Sequence, residues 1–358
     1  MNSLILIAAG GTGGHIFPGL AVAEEMAVRS PHTRVEFVGS TAPLGLERRI
    51  VPKAGLTLHL LPVFPLNTPS LSARLKGLAL LPLGLFRALG LLLRTRPSVV
   101  LGIGGYASGP LVLMASVLRI PTVILEPNAI PGFTNRTLKR FVKRAACAFE
   151  TTLARFGGKG VLTGNPVRAS FKALPQKPHE PPMQLLCFGG SQGSKILSEA
   201  LVRALPSLPD EASLSIVHQT GPAQFEAVEQ AYRAAGRQAV VVPFIDNMSE
   251  AFAKADLVLC RAGATTLAEL TVAGKAAILV PLRSAADDHQ TANARVLEAA
   301  GAAIMVSEAN LSSLGRVVCD LVADPAKVRS LEDHARALGR PDAAARVAEL
   351  LSTWVKAA

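Results

Sequence analysis

The sequence predicts an α/β fold with two domains, each built on a parallel sheet, and three observations favour it. Apolar runs of strand length, among them Leu4–Ala8 and Gln184–Phe188, lead through glycine-rich loops into segments with helical periodicity. Strands that alternate with helices in this way form parallel sheets. The second of these runs follows a segment rich in proline and lysine, Lys172–Pro182, which is typical of a linker. A chain of 358 residues is also long enough for two domains.

The composition is that of a compact protein with an aliphatic core. Hydrophobic residues make up 49% of the chain and aromatic residues only 4%. The four cysteines are scattered and form no metal-ligand pair, so we expect reduced thiols in a reducing compartment and no metal site. We also expect no signal peptide, because the first apolar run, Leu4–Ala8, has the length of a strand and is followed by glycines.

Positive charge is concentrated in the first half of the chain. The formal net charge is +11, and the segment Arg48–Phe149 contains 14 lysine and arginine residues but a single acid, Glu126. Such a surface requires an anionic partner: nucleic acid, an anionic membrane or a phosphorylated substrate. Nucleic acid is the least favoured of these, because few aromatic side chains are present to stack on bases.

Two segments of this half combine apolar residues with cations. Leu71–Arg96 is rich in leucine, but its longest uncharged run, Gly77–Phe86, is too short to span a bilayer. In Phe133–Arg144 we expect a helix that presents five cations on one face: Arg136, Lys139, Arg140, Lys143 and Arg144. An apolar surface beside a basic face favours contact with an anionic membrane, and the alternative is a solvated charged face over an apolar core.

The first glycine-rich loop, Gly10–His15, follows the first strand and precedes a helix predicted over Gly19–Val28. It is similar to a dinucleotide-binding turn, but its spacing differs from GxGxxG, and no acidic residue ends the second predicted strand, Val35–Val38. Both departures argue against an NAD-dependent oxidoreductase. His15 follows four glycines and has little to pack against, which favours a functional role over a structural one.

A second glycine-rich loop, Gly104–Gly109, follows the predicted strand Val99–Gly102. The next strand, Thr122–Leu125, leads into Glu126 and Asn128. We expect their side chains at the carboxyl edge of the sheet, where open α/β folds bind ligands. Because Glu126 is the only acid of the basic segment, we expect it to have a role in the site.

The segment Asp256–Gly274 is a candidate anion site. An apolar strand leads through small residues into a helix that we expect Thr265 and Thr266 to cap. The amides of the first turn could bind a diphosphate, and Glu269 could accept hydrogen bonds from a ribose. The alternative is an ordinary βα turn whose glutamate complements the helix dipole. A polar segment, Ala285–Asn293, follows the next predicted strand and offers groups able to bind hydroxyls.

Eight short motifs, taken in order, resemble the MurG family of bacterial glycosyltransferases over essentially the whole chain. They are GGTGGHIFPGLA from Gly10, GGYASGP from Gly104, EPNAIPGFTNR from Glu126, GNPVR from Gly164, GGSQGS from Gly189, FID from Phe244, RAGATTLAE from Arg261 and ADDHQTANA from Ala286. One departure is Pro127, at a position where the family often has glutamine. The resemblance implies the GT-B architecture, in which two Rossmann-like domains with parallel sheets face each other across a cleft.

The resemblance also implies what each domain does. Residues 1–165 are expected to take the lipid-linked acceptor and to lie on the membrane, and residues 166–341 to bind the nucleotide sugar. A C-terminal helix within residues 342–358 is expected to pack back on the first domain. The implied partners are UDP-N-acetylglucosamine (UDP-GlcNAc), lipid I (undecaprenyl-diphosphate-linked N-acetylmuramyl-pentapeptide) and an anionic membrane surface, with no nucleic acid and no cofactor. The implied location is peripheral, on the cytoplasmic face of the cell membrane.

The resemblance to the MurG family also implies roles for individual residues of this chain. Ile245 is expected to contact uracil through its backbone, and Glu269 to hold the ribose hydroxyls. The diphosphate is assigned to Ser191, Arg261 and nearby helix amides, with Arg168 close by. Three amide side chains are assigned to the transferred sugar: Asn128, Gln290 and Asn293. The full set implied for UDP-GlcNAc is Thr12, Gly13, Gly14, Asn128, Arg168, Ser191, Ile245, Arg261, Gly263, Ala264, Thr265, Thr266, Leu267, Ala268, Glu269, Gln290 and Asn293, and the acceptor side is assigned Gly104, Gly105 and Tyr106.

The family inverts the configuration at the anomeric carbon, so a base takes the proton of the acceptor 4-hydroxyl. A helix N-terminus and Arg261 are expected to stabilise the leaving UDP in place of a metal ion. His15 is the first candidate base, since the ordinary pKa of histidine lies near neutrality, and Glu126 is the second; either could instead only orient the acceptor. The alternatives are a related glycosyltransferase with a different lipid acceptor such as diacylglycerol, a non-catalytic nucleotide-sugar sensor on the membrane and, less favoured, an oxidoreductase.

Overall fold

The computed structural model describes residues 3–42, 45–64, 71–190 and 192–355, and the side chains of these residues apart from 71–73, 76 and 286. The chain divides into two compact units. The first unit consists of Met1–Arg168 and Arg340–Ala358, and the second unit of Ala169–Gly339. From the sequence we expected the chain to pass into the second domain after residue 165 and to return to the first domain at residue 342.

Strands and helices alternate along the first unit. Its elements are β1 Leu4–Ala9, α1 Gly13–Arg29, β2 Arg34–Ser40, α2 Glu47–Lys53, β3 Thr57–Leu61, α3 Leu71–Thr95, β4 Val99–Gly104, α4 Ser108–Val117, β5 Thr122–Glu126, α5 Phe133–Leu138, β6 Arg144–Cys147, α6 Glu150–Phe156, β7 Gly160–Leu162 and, at the C-terminus, α14 Ala343–Ser352. Within the described residues, its sheet has seven parallel strands in the order β3-β2-β1-β4-β5-β6-β7. The order reverses between β1 and β4.

The second unit repeats this alternation. Its elements are β8 Met183–Phe188, α7 Lys195–Ala204, β9 Leu214–Gln219, α8 Phe225–Ala234, β10 Val240–Val242, α9 Met248–Lys254, β11 Leu257–Cys260, α10 Ala264–Ala273, β12 Ala276–Leu279, α11 His289–Ala299, β13 Ala303–Met305, α12 Leu314–Val322 and α13 Pro325–Leu338. The described part of this sheet has six parallel strands in the order β10-β9-β8-β11-β12-β13, which reverses between β8 and β11. The prediction of two parallel-sheet α/β domains is confirmed.

The first unit has one apolar core on each face of its sheet. Leu4 and Leu6 of β1 point into the core that contains residues of α3 and α4. Ile5 and Ile7 point to the opposite face, where α1 and α14 pack together. Side chains of a strand alternate between the two faces, so a strand covered on both sides reads as a continuous apolar run. This explains the uninterrupted first strand of the sequence.

Helix α1 begins earlier than predicted. The sequence placed its start after Pro18, whereas Pro18 lies inside the helix. The amides of His15 and Ile16 both donate to the Thr12 carbonyl, which closes the first turn around glycines that have no side chain to obstruct it. The buried side chain of Ile16 anchors this turn to the core. His15 therefore lies on the first turn of a helix rather than in a loop.

The expectation of a single helix over Phe133–Arg144 is wrong. Helix α5 covers only the first half of the segment, and β6 already begins at Arg144. The turn between them is held by Lys159, whose ammonium donates to the carbonyls of Lys139 and Arg140 at 3.0 and 2.9 Å. The five cations are exposed, but they lie on a helix, a turn and a strand rather than on one helix face.

The segment Lys172–Pro182, predicted as a linker, packs onto the second unit. His179 is buried, with Nδ1 2.8 Å from Asp256 Oδ1 and Nε2 3.2 Å from Glu332 Oε2. Lys177 pairs with the same aspartate at 2.6 Å. A composition rich in proline and lysine identified an irregular segment, but it did not reveal these contacts with Asp256 and Glu332.

A second buried histidine, His218, lies on β9 in the core of the second unit. Its Nε2 is 3.1 Å from Ser198 Oγ and its Nδ1 is 3.1 Å from Tyr232 Oη. Both partners are hydroxyl groups, which can hydrogen-bond to a neutral imidazole. Burial lowers the pKa of His218 from 6.5 to about 4, so the ring stays neutral in the folded protein at neutral pH.

We expect this histidine to make the stability of the protein depend on pH. Between about pH 6.5 and 4 the unfolded chain binds a proton at His218 that the folded chain does not, so the free energy of unfolding falls as the pH falls, by up to about 3 kcal/mol. His218→Gln should remove this part of the pH dependence, while it lowers the stability at pH 7 through lost contacts. Urea unfolding at several pH values measures both effects. His32→Gln, at an exposed position, is the control; parallel pH profiles for wild type and His218→Gln would contradict the analysis.

Candidate active site

The loop after β11 delivers the N-terminus of α10 to the carboxyl edge of the second sheet. Gly263 is the N-cap, and the first bond within the helix runs from the Leu267 amide to the Gly263 carbonyl at 3.0 Å. The amides of Ala264, Thr265 and Thr266 precede that bond and have no acceptor within the helix. The prediction that the two threonines cap the helix is wrong, because both already lie inside its first turn.

Glu269 lies in the second turn of α10 and is buried. It is five residues beyond Ala264, which corresponds to about 8 Å along the helix axis. That distance suits a ligand whose anionic group binds at the helix N-terminus and whose hydroxyls lie further along. The side chain of Leu267, another predicted site residue, points into the core. Leu267 can therefore contact a ligand only through its backbone.

Arg261 connects the loops at this edge of the sheet. Its Nε and Nη2 donate to Ser194 Oγ at 3.2 and 2.9 Å, and its Nη1 donates to Glu308 Oε1 at 2.7 Å and to the Val280 and Pro281 carbonyls. The guanidinium is buried among these partners, which follow β8, β12 and β13. The arrangement supports a role in shaping the site, and direct contact with a diphosphate stays a prediction.

Two of these partners were not identified from the sequence. Ser194 is the N-cap of α7, where its hydroxyl accepts the Leu197 amide at 3.4 Å, and a serine before an apolar-periodic segment is a signal that could have found it. Glu308 lies 47 residues from Arg261 and carries no local signal. Ser191, predicted to bind the diphosphate, lies outside the described residues.

The glycine-rich loop after β8 passes directly against the loop after β9. A Cβ on Gly193 would lie 1.7 Å from the Thr220 carbonyl oxygen, and Gly193 has a φ of +73°. Only glycine permits this backbone approach. The loop is thus held beside Arg261 at the point where the strand order reverses, which is the usual ligand site of open α/β sheets.

The remaining predicted residues of the second unit also follow strand ends. Ile245 is half-buried after β10. Gln290 accepts the Leu282 amide at its Oε1 (3.0 Å), which leaves its NH₂ group as the part able to donate to a ligand. Asn293 is buried and donates to the Ala262 carbonyl at 3.3 Å. Both amides therefore connect α11 to the loops after β11 and β12.

In the first unit, the two glycine-rich loops meet where β1 and β4 are neighbours. His15 Nδ1 lies 3.2 Å from the Gly10 carbonyl oxygen and 3.4 Å from Thr12 Oγ1. Since a carbonyl only accepts, the contact with Gly10 calls for a proton on Nδ1, and in the neutral ring this tautomer has its lone pair on Nε2. A Cβ on Gly104 would lie 2.9 Å from that Nε2, so the glycine is needed to accommodate the ring.

The other residues predicted on the acceptor side lie against the same loop. Gly105, with a φ of +76°, approaches so closely that a Cβ there would lie 2.4 Å from the Gly10 carbonyl oxygen. Tyr106 is exposed, and its ring passes beside Gly11. Gly13 lies against the ring of Phe17. The structure thus brings together the predicted residues of both glycine loops in the first unit.

Glu126 is buried at the end of β5, where its carboxylate accepts several hydrogen bonds. Oε1 accepts from the Asn128 amide and side chain at 3.0 and 3.3 Å. Oε2 accepts from the Gly132 amide at 3.0 Å and from Asn135 Nδ2 at 2.9 Å. Burial raises the pKa of Glu126, and these donors partly offset the effect. The carboxylate organises the loop that follows the strand and thereby orients Asn128.

Arg168, the last residue of the first unit before the crossing, stacks on the helix that carries His15. Its guanidinium carbon lies 4.7 Å from the centroid of the Phe17 ring. Phe17 belongs to α1, so this cation–π contact positions the arginine beside the first glycine-rich loop. The sequence predicted Arg168 near a diphosphate, and that role stays a prediction.

The chain combines two parallel-sheet units with loops gathered at both points of strand reversal, and it belongs to glycosyltransferase family 28. The model of the family's N-terminal domain matches residues 5–147, and that of its C-terminal domain matches residues 184–347. The first range lies within the first unit. The second covers most of the second unit and runs into α14.

Comparison with individual proteins identifies the chain's relatives more specifically than the family models do. The chain is similar to the UDP-N-acetylglucosamine--N-acetylmuramyl-(pentapeptide) pyrophosphoryl-undecaprenol N-acetylglucosamine transferases of Myxococcus xanthus (46% identity, 98% of this chain, 94% of that protein) and Syntrophus aciditrophicus (42%, 99% and 100%). The crystal structure of Acinetobacter baumannii MurG superposes with a TM-score of 0.80 at 32% identity, covering 98% of this chain and 99% of that one. The resemblance to the MurG family is confirmed.

Proposed function

We propose that this protein transfers N-acetylglucosamine from UDP-GlcNAc to the 4-hydroxyl of the muramyl sugar in lipid I, with inversion at the anomeric carbon, to give lipid II for peptidoglycan synthesis. The full-length relatives are named for transfer of N-acetylglucosamine from UDP-GlcNAc to N-acetylmuramyl-(pentapeptide) pyrophosphoryl-undecaprenol. The observation that carries the proposal here is the N-terminus of α10 at the carboxyl edge of the sheet, with Glu269 buried in the second turn of the same helix.

The second unit binds the donor. The diphosphate lies at the first turn of α10, where amide groups and the helix dipole stabilise the negative charge that develops on the departing UDP. Glu269 accepts hydrogen bonds from the ribose hydroxyls, and Ile245 offers backbone groups to uracil. The NH₂ group of Gln290 donates to the transferred sugar. No step in this scheme requires a metal ion, because the helix N-terminus supplies the positive end of a dipole.

The first unit binds the acceptor, and His15 is the base. Its Nε2 carries the lone pair, because the Gly10 carbonyl holds the proton on Nδ1. As the acceptor hydroxyl attacks the anomeric carbon, Nε2 takes its proton while the bond to UDP breaks. Glu126 is a weaker candidate, since its carboxylate is buried and already accepts hydrogen bonds from Asn128, Gly132 and Asn135. It orients Asn128 instead.

Turnover of UDP-GlcNAc with a soluble lipid I analogue tests these roles. Wild type should release UDP only when the analogue is present. His15→Ala should lower kcat by about 10²–10⁴-fold without a loss of UDP affinity, because it removes the base and leaves the second unit intact. Glu126→Ala should lower both kcat and the melting temperature, since it removes the acceptor of four hydrogen bonds.

His32→Ala, at an exposed position of the same unit, should behave as wild type. Full activity of His15→Ala would contradict its role as base. Donor binding by wild type without turnover would contradict lipid I as the acceptor and would favour a different lipid acceptor or a sensor.

We also propose that the first unit lies on the cytoplasmic face of the membrane through α3 and α5. Both helices pack against α4, and they leave large apolar side chains exposed: Leu75, Leu78, Leu83, Phe86 and Leu93 of α3, with Phe133 of α5 and Phe141 after it. By length and composition alone, Gly77–Thr95 could cross a membrane, but Ala88, Leu91 and Leu92 pack into the core. Peripheral contact keeps that core intact.

The cations beside this surface strengthen the contact. Arg136, Lys139, Arg140 and Lys143 are exposed and lie within five residues of Phe141 in the sequence. Near an anionic membrane each cation contributes about 1 kcal/mol. The apolar side chains add to this when they enter the interfacial region, so binding should need both components.

Vesicle sedimentation tests the membrane contact. Leu83→Ser with Phe86→Ser should weaken binding to vesicles that contain anionic lipid by about tenfold or more, because two large apolar side chains are lost from the interface. Val28→Ser removes an exposed apolar side chain from α1, outside the proposed surface, and should leave binding unchanged. Equal binding by both variants would contradict the proposed surface.

A further inference from the structure

Glu47, the first residue of α2, is fully buried beneath the first glycine-rich loop. Its carboxylate accepts two backbone hydrogen bonds: Oε2 from the Gly11 amide at 3.0 Å, and Oε1 from the Ser40 amide at 3.1 Å. Gly11 follows β1 and Ser40 ends β2. The side chain therefore ties together the carboxyl ends of two neighbouring strands through charge-assisted bonds, which are stronger than neutral ones.

Three glycines enclose this carboxylate. A Cβ on Gly39 would lie 2.6 Å from Glu47 Cγ, and Cβ atoms on Gly45 and Gly10 would lie 2.9 and 3.0 Å from Glu47 Oε1. Any other residue at these positions would compete with the glutamate for space. A buried carboxylate is costly unless it is hydrogen-bonded, and the two amides meet that requirement.

The loop that Glu47 holds also orients His15. The Gly10 carbonyl belongs to the same peptide group as the Gly11 amide, and its oxygen lies 3.2 Å from His15 Nδ1. Gly105 of the neighbouring loop approaches the same oxygen so closely that only glycine fits. The peptide group between Gly10 and Gly11 is therefore fixed by Glu47 at its N–H and by the neighbouring loop at its carbonyl, and the imidazole depends on where that group lies.

We propose that Glu47 is a positioning residue for the reaction: it serves as an internal anion for the first glycine-rich loop and thereby holds His15 Nε2 in the orientation needed to take the acceptor proton. In a dinucleotide-binding turn, the loop amides face a phosphate. Here the Gly11 amide is already bonded to a carboxylate of the same chain, so this amide does not bind a nucleotide phosphate. The inference rests on the function proposed above.

Glu47→Gln is the first test. The variant keeps the volume of the side chain but turns an NH₂ group toward one of the two amide donors, so one hydrogen bond is lost. We expect kcat with the lipid I analogue to fall about tenfold or more. The affinity for UDP should change less than twofold, because the groups that bind UDP in the proposed scheme, the N-terminus of α10, Glu269 and Ile245, lie in the second unit. Glu36→Gln, at the half-buried acid of β2 that pairs with His59, is the matched control and should keep the wild-type rate.

Chemical rescue gives a readout that a general loss of stability would not produce. Glu47→Ala leaves the Gly11 and Ser40 amides facing a cavity shaped for a carboxylate. Added formate or acetate should restore a measurable part of kcat, whereas acetamide should not. Equal rates with acetate and acetamide would argue against the internal anion. If Glu47→Ala does not fold, the comparison of kcat between Glu47→Gln and wild type decides whether Glu47 has the positioning role.

A measurement independent of turnover separates this inference from the transferase assignment. In protein labelled with ¹⁵N-glycine, the Gly11 amide should be protected from hydrogen exchange in wild type and should lose protection about tenfold or more in Glu47→Gln. Loss of protection without loss of kcat would overturn the positioning role. If wild type shows no turnover at all, the proposed function fails, and the exchange of Gly11 still tests the loop contact.

Discussion

Both units depend on one constraint: all strands of a sheet run in parallel, so every loop that follows a strand emerges at the same edge. Where the strand order reverses, the loops of two adjacent strands diverge and leave a place for a ligand. In the first unit these are the loops after β1 and β4, and in the second unit those after β8 and β11. Glycines such as Gly105 and Gly193 are required there because backbone passes against backbone at distances that no Cβ permits.

The two units use this shared geometry for different electrostatic tasks. In the second unit, the first-turn amides of α10 precede the first helical hydrogen bond, and Arg261 is neutralised internally by Glu308. The positive end of a helix dipole is then available for the diphosphate of a nucleotide. In the first unit, the Gly11 amide is bonded to Glu47, so the loop carries its own anion. In the proposed scheme, the turn before α10 therefore serves the donor, and the glycine-rich loop after β1 orients the base.

The fold could be predicted because its signal is local. Short buried strands, glycine-rich loops and helical periodicity alternate along the chain, and each is decided by residues close in sequence. Most candidate site residues could be found for the same reason, since they follow strand ends. Side-chain partners could not: Glu47 lies 36 residues from Gly11, and Glu308 lies 47 residues from Arg261. Periodicity also failed around Lys139, where the chain leaves a helix to enter β6, because tertiary pairing overrides the local pattern.

The central claim is that α10 presents its N-terminal amides to a diphosphate and Glu269 to the attached ribose. Calorimetric titration of UDP and 2′-deoxy-UDP into wild type and Glu269→Ala tests it most directly. Wild type should bind the deoxy compound about tenfold more weakly, since a hydrogen bond to a charged group contributes about 1.5 kcal/mol or more. Glu269→Ala should bind both compounds with similar, reduced affinity. Equal affinity of wild type for the two compounds, or unchanged discrimination by Glu269→Ala, would contradict the account.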